Sequence, residues 1–156
     1  MSDPAIKQDA SGDVDISLVM PDRLAMIWDD AERYLRKSCK RSGGRTTTQD
    51  IFYQCLNNES SIWIVFDTGN MHIVGCMITQ IVAYPSGKRM LNVDHVSGSK
   101  MDGWIDRGLE VLEKWAKDNE CNGMEGVGRK GFWHWVKSRK WKKTAILVEY
   151  NFEDVT

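Results

Sequence analysis

The sequence predicts an α+β domain, in which helices pack on a mixed β-sheet in the order β-α-α-β-β-β-α-β-α-β. Apolar residues recur at three- and four-residue steps through two long segments, residues 21–40 and 103–119, as in amphipathic helices. Between these segments lie three apolar runs separated by short turn sequences, a pattern typical of antiparallel hairpins. Hairpins flanked by helices on both sides exclude a doubly wound parallel sheet.

The first elements are a strand and two helices. The strand is Val14–Val19, and the first helix follows over residues 21–40. Thr47 and Asp50 have the spacing of a capping box, in which each residue bonds the backbone amide of the other. This pair predicts that a second helix covers Thr48–Leu56.

Three strands come next, at Ile62–Phe66, Met71–Tyr84 and Arg89–Val96. Two turn sequences, Asp67-Thr68-Gly69-Asn70 and Pro85-Ser86-Gly87, separate them. Turns this short join neighbouring antiparallel strands, so we expect the three strands to lie side by side.

The second half of the chain alternates helices and strands. The long amphipathic helix Gly103–Asn119 leads to a strand at Met124–Gly128, and a short basic, tryptophan-rich helix begins near Phe132. The apolar run Thr144–Tyr150 predicts a closing strand. Because a helix connects Arg89–Val96 to Met124–Gly128, we expect those two strands to be parallel neighbours that splay at their ends.

This order, with Gly75 early in the third strand, resembles the GNAT (general-control-related N-acetyltransferase) superfamily from about Val14 to Phe152. The resemblance implies transfer of an acetyl group from acetyl-CoA to an amine. The stretch 127–132 also resembles small GNAT-like proteins encoded by tailed bacteriophages. That second resemblance would place the protein in the host cytoplasm or in the virion.

The resemblance also implies where the cofactor binds. In active GNAT enzymes a loop reading Gln/Arg-x-x-Gly-x-Gly/Ala follows the fourth strand, and its amides hold the pyrophosphate at the start of the long helix. The matching stretch here is 97–105, with Lys100 and Gly103 at the first and fourth motif positions. The implied acetyl-CoA residues are Val96, Ser97, Gly98, Ser99, Lys100 and Gly103, together with the basic residues Arg129 and Lys130.

Two residues of the fourth strand, Asp94 and His95, are the candidate catalytic groups. GNAT enzymes are expected to hold a general base near the splay, where the amine meets the thioester. Successive strand residues alternate faces, so one of the two should face the cleft. Histidine is the better base near neutral pH, and Asp94 could orient His95 or bind a cationic amine.

Three residues depart from the family pattern and support an alternative function. Ile105 replaces a small residue of the loop motif, Asp102 adds a negative charge beside the phosphate position, and Val136 stands where many GNAT enzymes carry a proton-donating tyrosine. These differences favour a catalytically degenerate GNAT domain that acts as a binding or virion-associated protein.

A basic segment near the C-terminus supports a second alternative. Its cations are Arg129, Lys130, Lys137, Arg139, Lys140, Lys142 and Lys143, with no acid among residues 129–143. Trp133, Trp135 and Trp141 alternate with these cations, as in proteins that stack on single-stranded nucleic acids. The same residues could flank the adenosine end of coenzyme A, or form a core helix with a lysine-covered outer face.

Composition limits the remaining possibilities. The chain has 156 residues, of which 42% are apolar and 28% charged, as in one domain with a sizeable core. We expect a disordered acidic leader at residues 1–12, a single domain at 13–156, and a cytoplasmic protein without a signal peptide or membrane helix. The four cysteines are widely spaced without a CxxC pair, so we expect reduced thiols and no metal site.

Overall fold

The computed structural model describes residues 12–128 and 130–153, except for the side chain of Lys130. The predicted leader, apart from Gly12, and Arg129 lie outside the described residues. The chain divides into two compact units, Met1–Gly126 and Val127–Thr156. The prediction of a single domain over residues 13–156 stays a prediction.

The first unit contains five strands and three α-helices in its described part. The strands are β1 (Val14–Val19), β2 (Ser61–Asp67), β3 (Ile73–Ala83), β4 (Arg89–Gly98) and β5 (Gly123–Glu125). The helices are α1 (Leu24–Lys40), α2 (Thr48–Leu56) and α3 (Ile105–Asp118), and 3-10 turns at Pro21–Arg23 and Met101–Gly103 precede α1 and α3. None of the described helices is long and apolar enough to span a membrane.

The strands form one mixed sheet in the order β1-β2-β3-β4-β5. The first four are antiparallel, and β4 pairs with β5 in parallel, from Met90 opposite Gly123 to Asn92 opposite Glu125. The α+β class and the parallel pairing of the fourth and fifth strands are therefore confirmed. This ladder ends at Asn92, within β4, so the last part of β4 pairs with β3 alone among the described residues.

Helices cover both faces of the sheet. The core on one face is formed by α1, α2 and the strand residues that point toward them: Leu24, Ala31, Leu35, Ile51, Cys55, Ile62, Cys76 and Ile78. On the opposite face the ring of Trp63 lies 5.3 Å from the ring of Trp115 in α3. The predicted capping box is also confirmed, because Thr47 and Asp50 bond each other's amides at the start of α2.

The boundaries of the long helix differ from the prediction. Its first turn is the 3-10 turn Met101–Gly103, and α3 itself begins at Ile105. The chain leaves α3 through Glu120, whose φ of +60° is left-handed. Gly123 opens β5.

The second unit contains α4 (Lys130–Val136), and the predicted closing strand is wrong. Residues 144–150 form no strand, and Ile146, Val148 and Tyr150 are 89%, 82% and 84% exposed. A strand is stabilised by hydrogen bonds and side-chain contacts with a neighbouring strand. Within the described residues this segment has no ladder partner, so its β-propensity alone does not produce a strand.

Candidate active site

A β-bulge in β4 brings the two predicted catalytic residues to one face of the sheet. Val93 lies opposite Thr79 and His95 lies opposite Ile78, so Asp94 is an extra residue that has no partner of its own in β3. Asp94 and His95 therefore both oppose Ile78, a core residue on the α1 side. The expectation that the two side chains alternate faces fails here, because the bulge interrupts the two-residue period of the strand.

His95 contacts α1. The Ser38 Oγ lies 2.5 Å from the His95 Nδ1, and the imidazole is half-buried on the side of β4 that faces α1. Burial lowers the pKa of His95 from its ordinary value of 6.5, so the ring is neutral at neutral pH. Nε2 has no hydrogen-bond partner among the described residues, which leaves it available to a bound molecule.

Asp94 contacts the strand residue two positions earlier. The Asn92 Nδ2 donates to the Asp94 Oδ1 at 2.6 Å. Burial raises the pKa of Asp94 from 3.8 to about 6, while the hydrogen bond from Asn92 acts in the opposite direction. The carboxylate is therefore charged at neutral pH, yet more basic than an ordinary aspartate.

A second acid, Glu125, lies beside Asn92 and Asp94 in the edge strand of the sheet. Glu125 of β5 is the register partner of Asn92, so the two side chains leave the sheet on the same face. The Tyr84 hydroxyl donates to the Glu125 Oε2, and this hydrogen bond is the main cause that raises the pKa of Tyr84. Asp94, Asn92, Glu125 and Tyr84 thus form a row of polar side chains. Tyr84 is 40% exposed, so the Tyr84 end of this polar row is open to solvent.

The corner between β4 and α3 is built around Trp104. Its side chain is buried, and its indole nitrogen donates to the Ser99 carbonyl oxygen at 3.0 Å. A Cβ at Gly75 would lie 2.8 Å from the indole, and a Cβ at Gly98 would lie 2.9 Å from it. Only glycine fits at these two positions, because real Cβ atoms do not approach other heavy atoms so closely.

Several groups predicted to bind acetyl-CoA already have partners in this corner. The Ser97 hydroxyl donates to the Tyr34 carbonyl oxygen of α1 at 2.8 Å, and the Ser99 amide donates to the Val74 carbonyl oxygen at 2.9 Å. The Gly103 amide donates to the Lys100 carbonyl oxygen at 2.9 Å. These three groups stabilise the corner.

Other groups of the same loop remain available to an anion. Lys100 is exposed with φ +51°, and within the described chain the backbone amides of Lys100, Met101 and Asp102 have no acceptor. The Ile105 side chain is buried in the core, so it does not crowd the outer side of the loop as its place in the motif implied. The amides of residues 100–102 and the Lys100 side chain are therefore open to an anion, whereas the Ser99 and Gly103 amides already have acceptors.

Val96 and Gly98 complete the predicted cofactor set in this unit. Val96 pairs with Met77 and Gly98 pairs with Gly75, so both have a partner in β3. Beyond Asn92, β4 has no ladder partner on the β5 side among the described residues. Val96 therefore lies beyond the last β4–β5 pair.

The second unit holds the basic segment. The Lys143 Nζ lies 5.0 Å from the ring centroid of Trp133, and Phe132 meets Trp141 edge-to-face at 5.6 Å. Trp133, Trp135 and Trp141 are half-buried. Trp135 meets His134 edge-to-face at 5.7 Å, so all three indoles have contacts inside the segment. The side chains of Arg129 and Lys130, for which cofactor roles were predicted, lie outside the described part.

Sequence reasoning missed four residues of the candidate active site: Ser38, Tyr84, Asn92 and Glu125. Asn92 carried a usable signal, because it lies two residues before Asp94 in a strand and such residues share a face. The other three come from distant segments, and no spacing in the sequence connects them to Asp94 or His95.

Comparisons with known proteins give the fold a name. No protein-family model matches the sequence, and no curated protein matches it either. A predicted acetyltransferase from Clostridium acetobutylicum, solved with acetyl-CoA, is 15% identical, with a TM-score of 0.64 over 89% of this chain and 96% of that chain. A ribosomal-protein-alanine N-acetyltransferase from Brucella melitensis biovar Abortus 2308 is 16% identical, with a TM-score of 0.62 over 90% of this chain and 99% of the other.

A third solved structure, an aminoglycoside acetyltransferase from an uncultured soil metagenomic sample in complex with sisomicin, is 8% identical. Its TM-score is 0.68 over 93% of this chain and 100% of that chain. The chain therefore has the fold of the GNAT acetyltransferases. The resemblance to phage-encoded proteins stays a prediction.

Proposed function

We propose that the protein transfers an acetyl group from acetyl-CoA to an amine. The observation that carries this proposal is the bulge in β4, which places Asp94 and His95 on one face of the sheet directly beyond the last β4–β5 pair. In the GNAT enzymes that the chain resembles, the thioester and the amine meet where the fourth and fifth strands splay apart. A structure with the same fold was solved with acetyl-CoA, which supports the choice of acyl donor.

The reaction is a direct transfer. The neutral amine nitrogen attacks the thioester carbonyl carbon, a C–N bond forms, and the C–S bond breaks. Asp94 takes the proton that the amine loses, because a carboxylate with a pKa of about 6 is ionised at neutral pH and is a stronger base than an ordinary aspartate. Val136, at the position of the family tyrosine, has no proton to give, so the departing thiolate takes one from water.

The pyrophosphate of acetyl-CoA binds at the start of α3. Lys100 supplies a positive charge, and the unpaired amides of residues 100–102 supply hydrogen-bond donors. The N-terminal end of α3 adds a favourable dipole, while the exposed Asp102 opposes the bound charge. The cofactor role predicted for Arg129 and Lys130 stays a prediction.

The acceptor is a positively charged amine. Asp94 and Glu125 lie on one face of the sheet. Tyr84 donates a hydrogen bond to the Glu125 carboxylate at the solvent-exposed end of the polar row. Two carboxylates favour a cation over a neutral molecule. The acceptor must then lose one proton to solvent before attack, and Asp94 takes the second proton, which the nitrogen loses as the C–N bond forms.

Two assays test this function together. Acetyl-CoA should stabilise the protein in a thermal shift assay, by roughly 2.7 kcal/mol at 100 times its Kd. A thiol-release assay with polyamines, aminoglycosides and N-terminal alanine peptides should then reveal the acceptor class. Asp94→Asn should lower turnover by about 10²- to 10⁴-fold, while Asp29→Asn, which removes an exposed acid of α1, should change little.

The outcomes separate the proposed function from its alternatives. Stabilisation by acetyl-CoA without thiol release from any amine would favour the catalytically degenerate binding protein. Absence of any stabilisation by acetyl-CoA would refute the acetyltransferase. Salt-sensitive binding of single-stranded DNA or RNA in that case would favour the basic segment as the functional surface.

A further inference from the structure

The surrounding hydrogen bonds indicate which group is the donor in the hydrogen bond between Ser38 and His95. A serine inside a helix commonly donates its hydroxyl hydrogen to the carbonyl oxygen four residues earlier, which for Ser38 is that of Tyr34. That oxygen already accepts the helical bond from the Ser38 amide and a second bond, at 2.8 Å, from the Ser97 hydroxyl. A carbonyl oxygen has two lone pairs, so both are used.

The Ser38 hydroxyl therefore has one acceptor left. Among the described residues its only hydrogen-bond partner is the His95 Nδ1, at 2.5 Å. If the hydroxyl donates to Nδ1, its hydrogen has an acceptor and the ring carries its own proton on Nε2. If Nδ1–H donated to the hydroxyl instead, the hydroxyl hydrogen would have no protein acceptor in a half-buried position.

We propose that Ser38 is a positioning residue that holds neutral His95 with its proton on Nε2, so that His95 is a hydrogen-bond donor in the active site and Asp94 alone accepts the proton of the amine. The catalytic part of this proposal rests on the proposed acetyl transfer. The assignment of the ring proton does not rest on it.

This division of roles agrees with the position of the two side chains. Nε2 has no protein partner among the described residues, so its hydrogen can reach an oxygen of the substrate or an ordered water. Asp94 is held on the same face by Asn92 and has an oxygen free to accept. One residue thus donates and its neighbour accepts, and the bulge places both opposite Ile78.

Nuclear magnetic resonance of ¹⁵N-labelled imidazole tests the assignment without any turnover. At a pH well above the pKa of His95, the wild-type protein should show a protonated Nε2 and an unprotonated Nδ1. Ser38→Ala should give a mixture of the two neutral forms, and Ser38→Thr, which keeps the hydroxyl, should restore the wild-type spectrum. A wild-type ring protonated on Nδ1, a wild-type mixture, or an unchanged spectrum in Ser38→Ala would overturn the proposal.

Turnover tests the catalytic part. His95→Gln keeps an N–H donor but cannot take a proton, so it should stay within about tenfold of the wild type, whereas loss of a general base lowers the rate by about 10²- to 10⁴-fold. A His95→Gln rate as low as that of Asp94→Asn would overturn the role of donor. If the wild type transfers no acetyl group, the proposed function fails, and the ring-proton assignment is still decided by the spectrum.

Discussion

The bulge of β4 and the corner that follows it use polar groups in opposite ways. At the corner, the Ser97 hydroxyl and the Ser99 and Gly103 amides bond backbone oxygens, and Trp104 fills the space between two glycines. At the bulge, the Asp94 carboxylate is half-buried with a raised pKa, and one nitrogen of His95 has no protein partner in the described chain.

This difference distinguishes structural from functional use of the same strand. Groups whose hydrogen bonds are all made within the protein stabilise the fold, and a ligand would gain little from them. Groups that are buried, titratable and incompletely paired lower stability and are typical of active sites. Changes at the corner and at the bulge should therefore alter stability with opposite signs.

The largest expected effect is at the corner. Gly98→Ala would place a Cβ 2.6 Å from the Val74 carbonyl oxygen and 2.9 Å from the Trp104 indole, so the backbone must shift. We expect the free energy of unfolding to fall by about 1–3 kcal/mol, measured by urea denaturation. Gly103→Ala is the matched control, because a Cβ there meets nothing within 4 Å, and it should leave stability unchanged or slightly higher. Equal losses in the two variants would contradict the packing account.

A smaller and opposite effect is expected at the bulge. Folding raises the pKa of Asp94 from 3.8 to about 6, so the folded state disfavours the charged form and loses stability as the pH rises through this interval. Asp94→Asn removes the charge and keeps an acceptor for Asn92. It should raise stability at neutral pH by about 1 kcal/mol, a value discounted for the partial exposure of the carboxylate.

The pH dependence identifies the origin of that gain. Thermal unfolding of Asp94→Asn and wild type should coincide at about pH 3, where the Asp94 carboxyl is neutral in both the folded and the unfolded protein. The two should diverge between about pH 4 and about pH 6 and differ by a constant amount at higher pH. Asp29→Asn, at an exposed site of α1, should follow the wild type throughout. A gain that persists unchanged at low pH would show that the substitution acts through packing instead of charge.

The smallest effect concerns the start of α3. Asp102 is exposed beside the amides proposed to hold the pyrophosphate, so Asp102→Asn should tighten acetyl-CoA binding by about 0.3–1 kcal/mol in calorimetry. Asp118→Asn changes the same charge at the opposite end of α3 and should have no effect on the Kd. Equal affinities in wild type and Asp102→Asn would place the phosphate away from this turn.

Most of the fold could be predicted because it depends on local patterns. The strand Val14–Val19 and the helix Thr48–Leu56 have the predicted boundaries, since a two-residue period and a capping box are visible in the sequence. The closing strand could not be predicted in the same way. A strand depends on a partner that the apolar pattern of residues 144–150 does not specify.

The candidate active site was predictable only in part. Asp94 and His95 could be named from residue type and position, but their common face results from a bulge that local sequence does not reveal. Ser38 reaches His95 only because α1 packs on this face, 57 residues earlier in the chain. The loop motif led to Ser99 and Gly103, although their amides bond oxygens of the same corner.

The pH dependence of acetyl transfer is the most direct test of the central claim that Asp94 is the general base. With a saturating acceptor amine, kcat should decrease as the pH falls through about 6, because protonated Asp94 cannot accept a proton. The limb due to Asp94 should be absent from Asp94→Asn and retained in His95→Gln. An acidic limb that persists unchanged in Asp94→Asn, or one that disappears in His95→Gln, would contradict the account.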